Sequence, residues 1–243
     1  MVVTRHGQSE FNLKNRFAGW VDVPLTDDGR QEARNVGDTL KKEGFTPNRV
    51  YTSILSRAVE TSEIACDKLG VSRNKIKKAP ALLERHYGAF SGRNRKEAEA
   101  EYGPERLHEI RRHYDTYPPP MDASHPCHPD NPDTTMPKTV KLPDYDKDSE
   151  SLEDVVNRVR PFWENEVLPH LQKGENILIS GHSNSLRALT MVIENMSRED
   201  IIHHEFENAK PEMYKIQVDD HGEWKILTKH FAGETIGGPS AHR

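Results

Sequence analysis

The sequence predicts an α/β fold in which helices cover a largely parallel sheet. Short β-rich runs alternate with helical patterns along most of the 243 residues, an order typical of parallel sheets. Two apolar runs, Met1–Thr4 and Asn176–Ser180, suit buried parallel strands, and they lead into the turns Arg5-His6-Gly7 and Gly181-His182-Ser183. Two further β-rich runs near the C-terminus flank a turn and predict an antiparallel hairpin.

Helix and strand alternate regularly in the first half of the chain. Thr26 is a suitable N-cap for the first long helix, and Gly44 is a suitable residue to end it. In chain order, the predicted elements are a helix over 27–43, a strand over 49–53, a helix over 55–69, an edge strand over 75–79 and a helical region over 94–114 that is interrupted at Gly103-Pro104.

The second half begins with a long predicted helix. Ser151 and Asp154 resemble a capping box, and the apolar residues that follow keep a 3.6-residue period toward Leu171. Because Pro161 and Pro169 interrupt this pattern, we expect a bend. The remaining predicted elements are the strand before His182, a helix over 185–195, a short helix over 199–204 and hairpin strands over 213–218 and 224–228.

Composition limits the domain organisation and the possible partners. Length is consistent with one domain over residues 1–243. Eight of the 16 prolines lie between Pro118 and Pro143, which predicts an irregular insertion over about 115–150 that contributes no core. Glycines and small polar residues predict a mobile tail over 233–243. The net charge of −5 argues against a nucleic-acid surface or a polybasic membrane patch.

The cysteine content and hydropathy favour a cytoplasmic protein. Only Cys66 and Cys127 are present, so a disulfide framework is not expected and a reducing compartment is favoured. The sequence contains neither an apolar run of ~18 residues nor a secretory signal pattern. We therefore expect no membrane association.

The histidine turns predict chemistry on an anion. His6 and His182 would lie at the carboxyl ends of strands, the edge where open α/β sheets bind ligands. Arg57 follows the second strand and reaches the same edge at a helix start, where backbone N–H groups favour anions. Arg5 and Arg57 would then hold a phosphate, and the alternative for each is a surface ion pair. Glu84 would exchange protons if it were partly desolvated, the alternative being a solvated side chain.

Other chemistries fit the sequence less well. The clusters 125–128 and 203–205 contain metal-ligating residue types, but their spacing matches no zinc pattern. A Gly-rich Walker loop is absent, which disfavours nucleotide-driven phosphoryl transfer. Arg111 and Arg112 end a predicted helix, where cations already complement the helix dipole.

Six motifs in a fixed order carry a resemblance to a known family. They are Arg5–Asn12, Asn15–Trp20, Tyr51–Ser53 with Arg57–Ala58, Glu84–Gly88, Arg111–Arg112 and His182–Ala188. Together they closely resemble the 2,3-bisphosphoglycerate-dependent phosphoglycerate mutases of the histidine phosphatase superfamily. The resemblance spans nearly the whole chain and implies a three-layer sandwich, a homodimer or homotetramer, and no metal.

The resemblance implies interconversion of 3-phosphoglycerate and 2-phosphoglycerate by ping-pong transfer, primed by 2,3-bisphosphoglycerate. His6 would carry the phosphoryl group, Glu84 would shuttle the proton of the substrate hydroxyl, and His182 would stabilise the transferring group. The residues implied to hold that same group are Arg5, Asn12, Arg57 and Asn184. Those implied to line the part of the pocket for the carboxylate and the second phosphate are Ser9, Gly19, Tyr87, Arg95, Arg111 and Arg112.

Several positions depart from the family pattern. Ser183 replaces the usual glycine, Ala18 replaces a small hydroxyl or thiol residue, Gln8 replaces a glutamate, and Arg95 stands where lysine is usual. At Ser183 we expect a negative φ, room for the Cβ, and a hydroxyl that is near the phosphate but dispensable.

Two alternatives to the mutase remain open at this point. The first alternative is a bisphosphoglycerate synthase or a phosphatase on the same scaffold. Ser9 and Gly19 favour the mutase over the synthase, because the similar synthases tend to have glycine and serine at these two positions. The other is a non-catalytic relative that binds partners through the segment from Pro118 to Pro143. The presence of His6 and Glu84 argues against it.

Overall fold

The computed structural model describes residues 1–234 except 133, 144 and 146. Its strands are Val2–Arg5 (β1), Arg49–Thr52 (β2), Ile76–Lys78 (β3), Ile177–Gly181 (β4), Glu212–Val218 (β5) and Trp224–Phe231 (β6). They form one sheet in the order β3-β2-β4-β1-β5-β6. Strands β1 to β4 are mutually parallel, whereas β5 is antiparallel to both β1 and β6. The predicted parallel sheet with a terminal hairpin is confirmed.

The helices occupy most of the predicted segments. They are Glu10–Leu13 (α1), Asp27–Lys42 (α2), Ser56–Leu69 (α3), Arg95–Tyr102 (α4), Pro104–Arg112 (α5), Leu152–Phe162 (α6), Leu168–Gln172 (α7) and Ser183–Glu194 (α8). Short 3₁₀ turns cover Arg73–Lys75, Pro80–Leu82, Gly88–Phe90 and Asp200–His203. The four-residue α1 was not predicted, because one turn is too short to show a helical period.

Alternation along the strands divides the core into two layers. Val2 and Leu178 pack with residues of α2 and α3 on one face of the sheet. Val3 and Ile179, their neighbours in sequence, pack with residues of α6 and α8 on the other face. Successive side chains of a strand point to opposite faces, so a strand that is apolar at every position is buried on both sides. The three-layer sandwich is therefore confirmed.

The long predicted helix changes helix type in the stretch where we expect a bend, and the bend itself stays a prediction. Between α6 and α7, Trp163–Val167 forms a π-helical turn, two residues after Pro161. Proline lacks the N–H that an α-helix needs there, and a π turn accommodates the disrupted ladder.

The helix after the second histidine begins earlier than predicted. We expected a start at Ser185, but α8 begins at Ser183. The backbone N–H of His182 donates to Ser185 Oγ at 3.0 Å, so His182 is the N-cap residue and Ser185 closes the first turn.

The proline-rich insertion has little regular structure but contributes to a core. Met121 and Cys127 are buried in a small cluster with Phe11 and Val21. Thr139 forms an isolated bridge with Val21, which holds the segment against the body of the protein. The prediction that this stretch contributes no core is wrong, because its apolar residues have no period that would reveal their burial.

The remaining predictions concern the cysteines, the membrane and the tail. Cys66 and Cys127 are both free and buried, and burial raises the pKa of each thiol to about 11. Within the described part of the chain, no helix has the length and apolar character needed to span a bilayer. Residues 235–243 of the predicted tail lie outside the described residues, so the mobile tail and the single-domain organisation stay predictions.

Candidate active site

The two histidines meet at the carboxyl edge of the sheet. Strands β1 and β4 are adjacent and parallel, with Arg5 in register with Gly181. The next residue, His6, donates its backbone N–H to the Gly181 carbonyl at 3.0 Å. Its ring lies 5.0 Å from the ring of His182 between centroids, at an interplanar angle of 61°. The predicted convergence of the two imidazoles is therefore present in the structure.

Hydrogen bonding fixes the tautomer of His6. Its Nδ1 lies 2.6 Å from the carbonyl oxygen of Gly7, which can only accept, so Nδ1 carries the proton. The lone pair is consequently on Nε2. Burial, followed by the charges of Arg57 and Arg5, holds the pKa of His6 well below its usual value. His6 is therefore a neutral imidazole with a nucleophilic nitrogen.

Gly7 allows the turn after β1 to approach α2 closely. A Cβ at this position would lie 2.2 Å from the carbonyl oxygen of Gly29, a distance that no side chain tolerates. The Gly7 N–H also donates to Thr61 Oγ1 at 3.1 Å, which joins the turn to α3. The position of His6 is thus set by contacts with both helices of one layer.

Arg57 and Arg5 supply positive charge that is not paired with a carboxylate in the described part of the chain. The buried Arg57 donates to the carbonyls of Val21 at 2.9 Å and Gly19 at 2.8 Å, and Arg5 Nη1 donates to the Phe206 carbonyl at 2.9 Å. The Nε of each is buried without an acceptor among the described residues. Burial lowers the pKa of Arg57 to about 10, so it stays charged at neutral pH. The alternative of surface ion pairs is wrong for both.

Ser9 and Asn12 form a capping unit beside the histidines. Ser9 is the N-cap of α1, and its N–H and hydroxyl lie 3.0 and 2.9 Å from Asn12 Oδ1. These bonds fix the amide with its NH₂ group as the free end, a donor suited to an anion. Ser9 itself is fully buried and is not among the residues that line the pocket.

Glu84 is nearly buried and held by one of its two oxygens. Its Oε1 accepts backbone N–H groups from Arg85 at 2.8 Å and Asn184 at 3.0 Å. Its own carbonyl accepts from Trp20 Nε1 at 2.6 Å and from Arg158 Nη2 at 3.0 Å. The main chain and Oε1 are therefore fixed, and Oε2 is the oxygen left to exchange a proton in the pocket.

Asn184 is held by its neighbours through both ends of its amide. Its Nδ2 donates to the Tyr87 hydroxyl at 3.0 Å, and its Oδ1 accepts from Arg187 Nη1 at 2.9 Å. Arg187 also donates to the carbonyls of Arg112 at 3.0 Å and Ile201 at 2.6 Å. Although Arg187 lies within a quoted motif, it was not predicted as a site residue, because its position behind the pocket is evident only from the fold.

His182 is buried behind the ring of His6. Neither of its ring nitrogens has a hydrogen-bond partner among the described residues. Burial, then the charges of Arg57 and His6, holds the pKa of His182 well below its usual value. A buried polar side chain without a partner is costly, and a bound anion beside it would supply an acceptor.

All predicted site residues except Ser9 and His182 line one pocket. Ser183 lies in the first turn of α8 with a negative φ, as expected, so its Cβ causes no backbone strain. Three lining residues, Ala18, Glu205 and Phe206, were not predicted as site residues. The full set that lines the pocket is Arg5, His6, Asn12, Ala18, Gly19, Arg57, Glu84, Tyr87, Arg95, Arg111, Arg112, Ser183, Asn184, Glu205 and Phe206. Arginines outnumber carboxylates in this set, so the pocket is cationic in an acidic protein.

Comparison with known proteins defines the family. The sequence model of the histidine phosphatase superfamily (branch 1) matches residues 1–127 and 121–230. A 2,3-bisphosphoglycerate-dependent phosphoglycerate mutase 2 from Latilactobacillus sakei is 43% identical over 222 residues, which cover 89% of this chain and 93% of the relative. The mutase of Maricaulis maris is 39% identical over 221 residues, covering 90% and 89%. The chain belongs to the 2,3-bisphosphoglycerate-dependent phosphoglycerate mutase family.

Two solved structures have a fold similar to that of this chain. A mycobacterial glucosyl-3-phosphoglycerate phosphatase in complex with VO₃ matches with a TM-score of 0.67 at 20% identity, over 93% of this chain and 96% of that one. The YhfR protein of Bacillus stearothermophilus matches with a TM-score of 0.67 at 24% identity, over 93% and 94%. At these identities the likeness concerns the fold alone.

Proposed function

We propose that this chain interconverts 3-phosphoglycerate and 2-phosphoglycerate by ping-pong phosphoryl transfer through His6, primed by 2,3-bisphosphoglycerate. The observation that carries the proposal is a neutral His6 whose Nε2 lone pair is free, beside the unpaired charges of Arg5 and Arg57. The mutase relatives, at 36–43% identity over about nine-tenths of the chain, support the same reaction.

His6 supplies the nucleophile of the first half-reaction. Its Nε2 attacks phosphorus, a P–N bond forms, and the P–O bond to the glycerate oxygen breaks with its electron pair on that oxygen. As the imidazole gains positive charge, the Nδ1–H bond to the Gly7 carbonyl stabilises it. The phosphoryl group that His6 takes from the primer is then attacked by the free 2-hydroxyl of 3-phosphoglycerate, the P–N bond breaks with its electron pair on Nε2, and 2,3-bisphosphoglycerate forms. Transfer of its 3-phosphoryl group to His6 then releases 2-phosphoglycerate and restores the phosphorylated enzyme.

Fixed donors stabilise the transferring group. Charge on its three oxygens increases in the transition state, where preorganised cations and N–H groups lower the barrier. Arg5, Arg57 and the free NH₂ of Asn12 face the same pocket as His6. His182, as a neutral imidazole, has one ring N–H, which would donate to an oxygen of this group because neither ring nitrogen has a partner among the described residues.

Glu84 acts as the proton shuttle. The leaving glycerate oxygen needs a proton in the first half-reaction, and the attacking hydroxyl must lose one in the second. Glu84 lies in the pocket with one oxygen held by two backbone N–H groups. Its remaining oxygen carries the proton out and back, so the carboxyl ends each cycle unchanged.

The cationic open end of the pocket orients the rest of the substrate. Arg95, Arg111 and Arg112 line the same cavity as His6 but belong to α4 and α5. They are suited to the carboxylate and to the second phosphate of the primer. Two anionic groups bound in this way allow either hydroxyl to be presented to His6.

A coupled assay with dephosphorylated enzyme tests the function. With 3-phosphoglycerate as substrate, formation of 2-phosphoglycerate should require added 2,3-bisphosphoglycerate and should be abolished in His6→Ala. Release of inorganic phosphate would indicate a phosphatase, and no turnover a non-catalytic protein. Net formation of 2,3-bisphosphoglycerate in a parallel assay that adds an acyl phosphate donor, 1,3-bisphosphoglycerate, without formation of 2-phosphoglycerate in the main assay, would indicate a synthase. Each of these three results would contradict the proposal.

Chelation tests the prediction that the reaction needs no metal. The pocket already contains several arginines, which supply the charge stabilisation that a divalent cation provides in other phosphoryl transfers. We expect mutase activity to survive exhaustive treatment with a chelator. Loss of activity that manganese restores would contradict this expectation.

A further inference from the structure

The open end of the pocket contains an acidic side chain that the proposed mechanism does not use. Glu205 lines the cavity, and its carboxylate pairs with the guanidinium of Arg112. Among the described residues that line the cavity, the only other carboxylate is that of Glu84, which is held by backbone N–H groups. An acid at Arg112 is unexpected in a pocket for anions, because it occupies donors that an anionic ligand needs.

The main chain around Glu205 is attached to the catalytic strand end. The Phe206 carbonyl accepts from Arg5 Nη1 at 2.9 Å. Asn208 Nδ2 donates to the His6 carbonyl at 2.8 Å, and the Ala209 N–H donates to the Arg5 carbonyl at 3.1 Å. These bonds place the Glu205 side chain at the rim of the pocket as part of the folded site.

The Glu205 carboxylate can leave Arg112 at little cost. The side chain of Glu205 is 63% exposed, whereas that of Arg112 is 16% exposed. Water solvates the released carboxylate, and the incoming anionic group takes its place at Arg112, so the buried guanidinium is not left unpaired. Arg112, in contrast, stays in the wall of the pocket whether or not Glu205 is bound to it.

We propose that Glu205 is a resident anion that competes with the anionic group of the substrate farther from His6 for Arg112. Its release must accompany the binding of any ligand with a second anionic group. Glu205 therefore weakens the binding of small phosphorylated carboxylic acids and is a specificity-determining residue of the pocket. The ligand class rests on the proposed function, whereas the competition rests on the ion pair itself.

The opposite role would be to orient Arg112 for the substrate. In that case loss of the carboxylate would weaken binding. The exposure of Glu205 argues against this role, because a solvent-exposed carboxylate imposes little geometry on its partner. Repulsion between Glu205 and an incoming polyanion acts in the direction that we propose.

Binding measurements on Glu205→Gln separate the two roles. In a His6→Ala background, which prevents transfer, calorimetry with 3-phosphoglycerate should show a Kd about three- to tenfold lower than with Glu205 present. The affinity for orthophosphate should change less than about twofold, because Arg5 and Arg57 can hold a single anionic group without Arg112. The gain for 3-phosphoglycerate should shrink at high salt.

Glu207→Gln is the matched control. Glu207 lies two residues away, is 75% exposed, pairs with Lys210 and does not line the pocket. Its neutralisation should change the Kd for 3-phosphoglycerate by less than about twofold. An equal gain in this control, or an equal gain for orthophosphate, would show a general charge effect and overturn the competition at Arg112.

Unchanged or weaker binding of 3-phosphoglycerate to Glu205→Gln would also overturn the inference. Glu205→Ala should give the same direction of change, which guards against a new contact made by glutamine. Circular dichroism should show that each variant is folded. Failure of the mutase function is distinguishable, because it would appear as lack of turnover in the wild-type assay while the binding comparison could still succeed.

Discussion

At the scale of single residues, the turn around His182 allows a comparison of two neighbours with different roles. Ser183 has a negative φ and a Cβ that the backbone tolerates, so its side chain is not required to shape the turn. We expect Ser183→Gly to change kcat/KM by less than about tenfold, or about 1.4 kcal/mol. His182→Ala removes the ring that we propose donates to the transferring phosphoryl group, and we expect a loss of more than ~100-fold.

Steady-state kinetics of both variants check this pair of expectations. Circular dichroism and thermal unfolding serve as controls for folding. If Ser183→Gly lost as much activity as His182→Ala, the Ser183 hydroxyl would belong to the catalytic machinery and the dispensable role would be wrong.

Arg57 provides a second residue-scale prediction. Its guanidinium spans the carbonyls of Val21 and Gly19, its Nε has no acceptor among the described residues, and its side chain lines the pocket. A lysine has a single nitrogen and cannot maintain this planar arrangement. We expect Arg57→Lys to reduce kcat/KM by about 100-fold or more, whereas Arg73→Lys, at an exposed ion pair, should have wild-type kinetics. Near-wild-type activity of Arg57→Lys would show that the planar fork is not needed.

At the scale of elements, Arg187 connects three segments that form the pocket. From α8 it donates to Asn184 Oδ1, to the carbonyls of Arg111 and Arg112 at the end of α5, and to Ile201 in the 3₁₀ turn. It does not line the pocket, so we regard it as a positioning residue. Its removal should misplace Asn184 and the two arginines together, and misplacement of about 1 Å can cost ~100-fold in rate.

Arg187→Met therefore should raise KM and lower kcat, and should reduce the free energy of unfolding by about 2–4 kcal/mol because buried carbonyls lose their donor. Arg187→Lys should recover part of the kinetic loss. The control is Arg198→Met, which removes a guanidinium whose side chain is 59% exposed and should change neither property. A wild-type KM and kcat in folded Arg187→Met would contradict the positioning role.

The elements also show what could be predicted from sequence. Strands β1 and β4 were predictable because their apolar runs are buried on both faces, as Val2 and Val3 show by packing on opposite sides of the sheet. The burial of Met121 was not predictable, because the apolar residues of the proline-rich insertion follow neither a helical nor a strand period. The early start of α8 depended on the N-cap geometry of His182, which the sequence alone does not reveal.

At the scale of the whole molecule, buried histidines predict a loss of stability in mild acid. Burial lowers the pKa of His86 to about 4, and burial also lowers the pKa of His6 and His182. Between pH 4 and the usual histidine pKa of about 6.5, the unfolded chain binds protons that the folded chain does not. The free energy of unfolding therefore falls as pH decreases through this window, by up to ~1.4 kcal/mol per pH unit for each such histidine.

His86→Asn tests this linkage at one group. His86 Nδ1 accepts from the Gly88 N–H at 3.1 Å, and an asparagine carbonyl can accept the same bond without titrating. Urea unfolding at several pH values between 7 and 5 should show a smaller acid loss for the variant, while carboxylate effects cancel in the difference. Parallel pH dependences of wild type and His86→Asn would contradict a lowered pKa at this position.

Most of the site could be predicted from the sequence, because most of its residues follow strand ends or lie in motifs shared with the mutases. His6, Arg57 and Glu84 belong to this part, and they all line the pocket. Glu205 could not be predicted from the sequence. Its contact with Arg112 joins positions 93 residues apart, and Glu205 itself lies in a segment without regular structure. The predicted homodimer or homotetramer stays a prediction.

The central claim is that His6 carries the phosphoryl group as an obligatory intermediate. The most direct measurement mixes the enzyme briefly with radiolabelled 2,3-bisphosphoglycerate, quenches one portion and chases another with unlabelled 3-phosphoglycerate. Since a phosphoramidate is the product of attack by Nε2, we expect acid-labile, alkali-stable label on His6 that the chase removes at least as fast as kcat. Label on His182 alone, or label on His6 that the chase removes more slowly than turnover, would contradict the account.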